Sequence, residues 1–420
     1  MENQQSAAIE AENGGKQMKA VMYGAGNIGR GFIGALFAQS GYQVSFVDVV
    51  EATVQALNRD GQYPVRIVWG DGYEEQMIQG VSAVDGRDPQ AVAQAIDQAD
   101  IMATAVGVNV MKYIAPVIAQ GLKLRCAAGR GPLNIIICEN LLDANKVMEG
   151  MLKEQLTPQE QQWFDQNVGL VEASIGRMVP VQTPQMQAGN PLRVCVERYG
   201  FLPVDKDAFR GEIPNIQRLV PYSPFDYYIR RKLYVHNMGH ATCAYLGMLE
   251  GHEYIYESIQ EAEVRLICQS AMTESALALS KCYGVEAGGI MDHVFDLLTR
   301  FENRALGDTC ARVGGDTTRK LKATDRLIGP ARLCLEHDVI PAFICLGTAA
   351  AVRAHLEGSG QAQTRQNAQR VLQEVSGLTE QEPLMGMILG LYEKVAAGAT
   401  VGELRRAADR LQVETRGPIA

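Results

Sequence analysis

The sequence predicts an α/β protein, with a parallel-sheet domain at the N-terminal end and a mainly α-helical domain after it. Three observations carry that prediction. Short apolar runs alternate with helical patterns over roughly the first two hundred residues. A glycine-rich turn joins the first run to the first helix. From Tyr227 onward the apolar residues recur at helical spacing, and strand-like runs become scarce.

Taken in order, Lys19–Tyr23 (KAVMY) reads as a strand. It breaks into GAGNIGRGFIGALFAQSG, a turn and then a helix that buries Ile28, Phe32, Leu36 and Phe37. Gly41 closes that helix, and YQVSFVDV forms a second strand ending near Asp48. Residues 51–58 read as a further helix, so the strands are parallel and joined by right-handed crossovers. The alternation continues with a helix at Pro89–Gln98, a buried strand at 100–106 and a helix at 110–121. A strand at 133–138 (LNIIIC) then leads into Glu139 and Asn140. Thr157-Pro158-x-Glu160 starts another helix, with Thr as cap, Pro in the first turn and Glu reaching back. Residues 192–204 look extended. The polar stretch at 205–215 contains Gly and Pro and reads as a linker, which sets the two domains at 18–208 and 209–420.

The chain has 420 residues and 47% hydrophobic content, enough for two domains with their own cores. A net charge of −9 argues against nucleic acid or an anionic membrane as the main partner. No apolar stretch is long enough for a membrane helix, and the polar, acidic N-terminus lacks the features of a signal peptide. Residues 1–17 are expected to form a disordered tail, with a regulatory or oligomerising arm as the alternative. Nine scattered cysteines with no C-x-x-C pair suggest reduced thiols in a cytoplasmic protein, without a structural metal site.

Gly24-x-Gly26-x-x-Gly29 follows a strand and opens a helix, as a dinucleotide-binding turn requires. The first glycine permits the tight turn, the second admits the pyrophosphate, and the third allows the helix close to the strand. Gly24, Ala25, Gly26, Asn27, Ile28 and Gly29 are therefore the expected phosphate cradle, at a helix N-terminus that favours negative charge. Asp48 ends the second strand about twenty residues later, placed to accept from ribose hydroxyls and to repel a 2′-phosphate. The cofactor expected is NAD, in a Rossmann-type domain. Gly31 and Gly34 are assigned to helix packing. Thr104 belongs to a TAVG segment at the carboxyl edge of the sheet, where ligands of open α/β sheets bind. Asn140 lies on the same edge, either lining the site or capping the next helix.

Between Arg231 and Ala241 the chain reads KLYVHNMGH, which holds an amine (Lys232), a carboxamide (Asn237) and an imidazole (His240). In an α-helix His240 falls about 80° and Asn237 about 140° from Lys232, so the three share one broad face. The chemistry suits alcohol oxidation. A desolvated lysine can take the hydroxyl proton, and carboxamides can donate to the oxygen as charge develops. Each is also a common residue type, and a helical lysine is most often a solvated charge. His236, His252, His293, His337 and His355 are assigned to ordinary packing. Tyr228-x-x-x-Lys232 matches the Tyr/Lys pair of short-chain dehydrogenases, but those carry a different glycine turn on a shorter chain.

KAVMYGAGNIGRGFIG, FVDV, TAVG, LNIIICEN, RRKLYVHNMGHATCAYLG, TRFEN and RKLKATDRLIGP together resemble the polyol-specific long-chain dehydrogenase/reductases, the mannitol dehydrogenase family. The similarity covers nearly the whole chain after Lys19, and Lys-x4-Asn-x2-His is specific to that family. The resemblance implies a Rossmann domain, a largely helical C-terminal domain and a substrate site in the cleft between them. It also implies metal-independent catalysis with Lys232 as base, Asn237 and Asn140 as oxyanion hole, and His240 beside them. Within this family the same residues resemble the branch acting on mannitol 1-phosphate, which implies its NAD-dependent conversion to fructose 6-phosphate.

One position departs from the pattern. Where the family usually has V-D-R-I-V-P, this chain has Ile175-Gly176-Arg177-Met178-Val179-Pro180, so Gly176 stands in place of the aspartate. That loss should change which hydroxyl is held, or reduce repulsion toward an anionic substrate. A phosphorylated substrate needs cations. Arg177, Arg230, Arg231, Arg319, Lys320 and Lys322 are the candidates, with Arg319 and Lys320 favoured by their place in the RKL motif. The expectation is a polyol-phosphate dehydrogenase with small-molecule partners only, a monomer or weak homo-oligomer. The alternatives are a dehydrogenase of an unphosphorylated polyol or sugar acid, and a non-catalytic NAD-binding protein.

Overall fold

β1 (Lys19–Tyr23) divides its side chains between two hydrophobic cores, with Ala20 and Met22 in one and Val21 and Tyr23 in the other. That alternation is the signature of a central strand covered on both faces. The computed structural model describes residues 17–141 and 143–416. It divides into two compact units, Met1–Phe225 and Asp226–Ala420. Most of the expected tail lies outside the described residues.

In the first unit β1 pairs with β2 (Gln43–Asp48) on one side and, among later strands, with β6 (Ile101–Thr104) on the other. β5 (Val81–Asp85), β7 (Leu133–Ile137) and β8 (Val168–Glu172) complete a six-stranded parallel sheet in the order β5-β2-β1-β6-β7-β8. The order reverses between β1 and β6, which is where open α/β sheets hold their ligands. Val92 and Ile96 of helix Pro89–Gln98 share one core with Ile114 and Ile118 of helix Met111–Ala127. On the other face Leu36 and Phe37 of Gly34–Gln39 join Val54 and Leu57 of Glu51–Asp60. Helix Pro158–Asn167 carries the expected capping box of Thr157 and Glu160.

Residues 62–85 carry no assignment from the sequence. They fold as an antiparallel hairpin of β3 (Gln62–Trp69) and β4 (Gly72–Gln79), followed by β5. Gly70-Asp71 is the two-residue turn, a short-range hairpin signal that was readable. The extended stretch at 192–204 resolves into β9 (Val194–Val196), paired with β3, and β10 (Leu202–Asp205). β10 pairs in parallel with β11 (Leu219–Tyr222). This pairing keeps residues 209–225 with the first unit, so the division falls later than the 208/209 boundary read from the sequence.

The second unit is helical. Asp226–Arg230, Arg231–Asn237 and Met238–Glu250 run on as one rod, with the middle segment in π-helical form. Met238–Glu250 is almost wholly buried and packs against helices Ala262–Tyr283 and Ala342–Gly358. A Cβ on Gly347 would stand 2.5 Å from Thr242 Oγ1, so that glycine sets how closely two of these helices approach. The buried Glu274 carboxylate accepts from the Phe343 and Ile344 N–H groups, closing the open N-terminus of Ala342–Gly358. No helix among the described residues is long and apolar enough to cross a membrane, and all nine cysteines are free.

Candidate functional site

The glycine turn leaves β1 at the carboxyl edge of the sheet. Gly24 has φ of +104°, and a Cβ there would lie 2.5 Å from the Ala105 carbonyl oxygen. A Cβ on Gly29 would overlap the Gly24 carbonyl oxygen, so this glycine lets the helix start directly under the turn. Gly26 differs from both. It is exposed, and no protein atom lies within 4 Å of where its Cβ would stand. Steric need within the chain explains Gly24 and Gly29, whereas open space at Gly26 fits backbone access for a pyrophosphate. The helical turn beginning at Asn27 presents its free N–H groups beside that space. The five residues Gly29–Ile33 are π-helical, closed by a bond from the Gly34 N–H to the Gly29 carbonyl. Gly31 and Gly34 pack against Val194 and Phe46, as their assignment to packing requires.

Asp48 ends β2 and ties the turn down. Its Oδ2 accepts from the Ala25 N–H at 2.7 Å and its Oδ1 from the Val50 N–H at 2.9 Å. Thr104 ends β6, but its side chain is fully buried and its hydroxyl has no protein partner. Ala105 and Val106, not Thr104, are the residues that meet the glycine turn. Asn140 is exposed beyond β7. The following helix, Ala144–Lys153, takes Asp143 as its N-cap, so Asn140 is not held there as a cap.

In the second unit Lys232 and Asn237 both lie in the π-helical segment Arg231–Asn237, and His240 follows in Met238–Glu250. The α-helical angles expected from the sequence do not hold over this segment. An i→i+5 turn is wider and each residue advances by less than 100°, so Asn237 comes closer to standing directly over Lys232. π-Helical turns are rare and occur often at functional sites. His240 stacks on Phe301, with ring centroids 4.9 Å apart and planes 14° from parallel. Its Nε2 lies 3.5 Å from Asp308 Oδ2, and its side chain is 15% exposed. Burial pulls its pKa down to about 4; Asp308 opposes the shift, and Arg312, Arg326 and Arg300 add to it. His240 is therefore a neutral imidazole near pH 7. Donating from Nε2 toward Asp308 would leave Nδ1 to accept from a hydroxyl. His236 is buried among the rings of His240 and Phe301, in keeping with a packing role. Tyr228 lies under the Arg231 guanidinium, 4.4 Å from ring centroid to Cζ.

The cation candidates separate. Arg177 is 8% exposed, and its guanidinium donates to the Glu197 and Gly31 carbonyls of its own unit. That is an internal brace, and it leaves little for a substrate phosphate. Arg319 is solvent-accessible and pairs with Asp316 at 2.6 Å. Lys320 is 5% exposed, and its pKa is lowered to about 8 by burial and then by Arg326 and Arg319. Arg326 bears on both Lys320 and His240. A Cβ on Gly176 would lie 3.2 Å from Tyr199 Cε1, a tight contact that a slight shift of the ring would relieve. Sequence reasoning passed over Glu139, Phe301, Asp308 and Arg326. Three of these stand in the quoted motifs LNIIICEN, TRFEN and RKLKATDRLIGP, so the signal was present without a role attached.

The sheet, its switch point and the open glycine are those of a Rossmann-type dinucleotide-binding domain. Residues 18–218 match the mannitol dehydrogenase Rossmann domain, and residues 225–396 match the mannitol dehydrogenase C-terminal domain. The chain belongs to the mannitol dehydrogenase family and is an NAD-dependent polyol dehydrogenase. Its fold is similar to that of a D-sorbitol dehydrogenase in substrate-free form, with TM-score 0.76 and 14% identity over 94% of this chain and 95% of that one. It is also similar to the mannitol 2-dehydrogenase of Pseudomonas fluorescens in ternary complex with NAD and D-mannitol. There the TM-score is 0.63, with 15% identity over 96% of this chain and 92% of that one.

Proposed function

We propose that the chain interconverts a polyol phosphate and its ketose phosphate, mannitol 1-phosphate and fructose 6-phosphate, with NAD. The observation that carries the phosphate is Lys320. It is buried, it forms no ion pair among the described residues, and it lies in the field of Arg326 and Arg319. Asp316 and Asp325 counter that field only in part, and a buried ammonium with no carboxylate in direct contact is costly unless an anion arrives to balance it. Arg326 extends the same positive field to His240, which joins the phosphate candidates to the chemical ones.

NAD, when bound, supplies the hydride acceptor. Lys232 takes the proton of the reacting hydroxyl. Asn237 donates to that oxygen as negative charge develops. Neutral His240, oriented by Asp308 and by its stack on Phe301, holds a hydroxyl without competing for the proton.

A second reading keeps this reaction on an unphosphorylated polyol. It is favoured by the pairing of Arg319 with Asp316 and of Arg326 with Asp325, which offsets much of the charge around Lys320. Initial rates with NADH on fructose 6-phosphate and on fructose separate the two. The phosphate reading expects kcat/KM to be higher for fructose 6-phosphate, and a preference for free fructose overturns it.

A further inference from the structure

Glu139 is 8% exposed, yet it carries a carboxylate at the edge of a sheet. Each of its oxygens accepts one main-chain N–H from consecutive residues of the segment after β6. Val106 donates to Oε1 at 2.9 Å and Gly107 to Oε2 at 2.7 Å. Two successive N–H groups aimed at one anion form a nest, here filled by a side chain of the same unit. Gly107, at φ +91°, turns the backbone away just after the second donor.

The ladder explains why the contact is needed. β6 and β7 pair up to Thr104 opposite Ile137, and the Cys138 N–H extends the pairing by one bond to the Thr104 carbonyl at 3.0 Å. Beyond that point the strands stop pairing, and the Glu139 side chain takes over. On its other side the same segment is tied to β1 through the Ala105 N–H and the Tyr23 carbonyl at 2.9 Å. Ala105 in turn lies against Gly24. A continuous run of contacts thus leads from the glycine turn through residues 105–107 to Glu139, and so to the adjacent Asn140.

We propose that Glu139 is a positioning residue that fixes the 105–107 segment and Asn140 as one piece, so that dinucleotide binding and the placement of the Asn140 amide depend on the same carboxylate. This inference rests on the reading of the carboxyl edge as the dinucleotide site. A structural clasp alone would need only an acceptor of the right size. The bidentate carboxylate holds two amides at once, and hydrogen bonds to a charged acceptor are the stronger kind.

The test measures NADH affinity by fluorescence titration, together with kcat, KM for the ketose and the melting temperature. Glu139→Gln keeps the size but turns an NH2 toward one of the two amides. It is expected to raise the NADH Kd about tenfold and lower kcat by a similar factor. KM for the ketose should stay close to wild type, and the melting temperature should fall only modestly, leaving the protein folded at the assay temperature. Glu139→Asp keeps the charge on a shorter arm and should recover part of the NADH affinity. Wild-type NADH binding and kcat in Glu139→Gln overturn the proposal. So does a loss of activity that merely follows a loss of folded protein. Gly26→Ala serves as the control for the underlying reading. If it too leaves NADH binding unchanged, the dinucleotide site is misplaced and both readings fall. If Gly26→Ala weakens binding and Glu139→Gln does not, only the role of Glu139 is lost.

Discussion

The carboxylate of Asp48 holds the main-chain N–H of Ala25 at 2.7 Å, so the end of the second strand fastens the glycine turn across the sheet edge. Its other oxygen holds the Val50 N–H. Each oxygen keeps a further lone pair for a ribose hydroxyl. In the proposed dinucleotide site Asp48 would act on the cofactor directly and also through the turn. Asp48→Ala is expected to raise the NADH Kd tenfold or more while leaving the NADPH Kd nearly unchanged. Titration of both dinucleotides checks this, and an unchanged NADH-to-NADPH ratio removes the assigned role.

The glycines of the turn make a sharper contrast. A methyl at position 29 meets the Gly24 carbonyl, whereas a methyl at position 26 meets no protein atom within 4 Å. Gly29→Ala should destabilise the first unit by about 2 kcal/mol, within the range for overpacking a close contact. Gly26→Ala should leave thermal unfolding unchanged and weaken NADH binding at least tenfold, because its methyl occupies ligand space. Melting curves with and without NADH distinguish the two, and equal melting losses for both variants would contradict the assignment of Gly26.

The Rossmann half was legible because its signals are local. KAVMY, the three glycines and the Asp48 carboxylate each declare a strand, a turn or a strand end within a few residues. The hairpin at 62–79 escaped although Gly70-Asp71 marks its turn, because β3 and β4 do not alternate cleanly between apolar and polar. The π-helical form of Arg231–Asn237 has no counterpart in apolar periodicity, since one extra residue per turn leaves composition unchanged. Glu139 and Asp308 act through partners more than thirty and sixty residues away in the chain, Val106 and His240. A contact at that separation exists only once the fold is formed. The inward turn of Arg177 was equally invisible, since its carbonyl acceptors come from Gly31 and Glu197.

His240 yields a prediction about pH. Its pKa lies near 4, below the usual histidine value, chiefly because burial disfavours the charged ring. It is charged only below that pH, and through the range from pH 6 to pH 9 it does not titrate. His240→Gln should therefore lower kcat/KM by about a hundredfold without moving the apparent pKa of the pH–rate profile. Lys232→Ala, by contrast, should abolish the limb that reports the base along with nearly all NADH oxidation. A shifted limb in His240→Gln would assign the titrating group to the histidine, and unchanged oxidation in Lys232→Ala would remove the base.

Lys320 offers the test that joins charge to substrate. Its pKa is lowered to about 8 by burial and by Arg326 and Arg319, so the ammonium is mostly charged at pH 7 and mostly neutral at pH 9. A phosphate monoester has its second pKa near 6 and is already mostly dianionic at pH 7, so the substrate changes charge little across that interval. If Lys320 holds the phosphate, attraction is present below pH 8 and is lost above it. The KM for fructose 6-phosphate should then rise about tenfold relative to the KM for fructose between pH 7 and pH 9. Taking the ratio cancels any titration of Lys232, which both substrates share. Lys320→Met should raise the fructose 6-phosphate KM at pH 7 to its pH 9 value and flatten the ratio against pH. A ratio that is already flat in the wild-type enzyme would place the phosphate elsewhere, or remove it from the substrate.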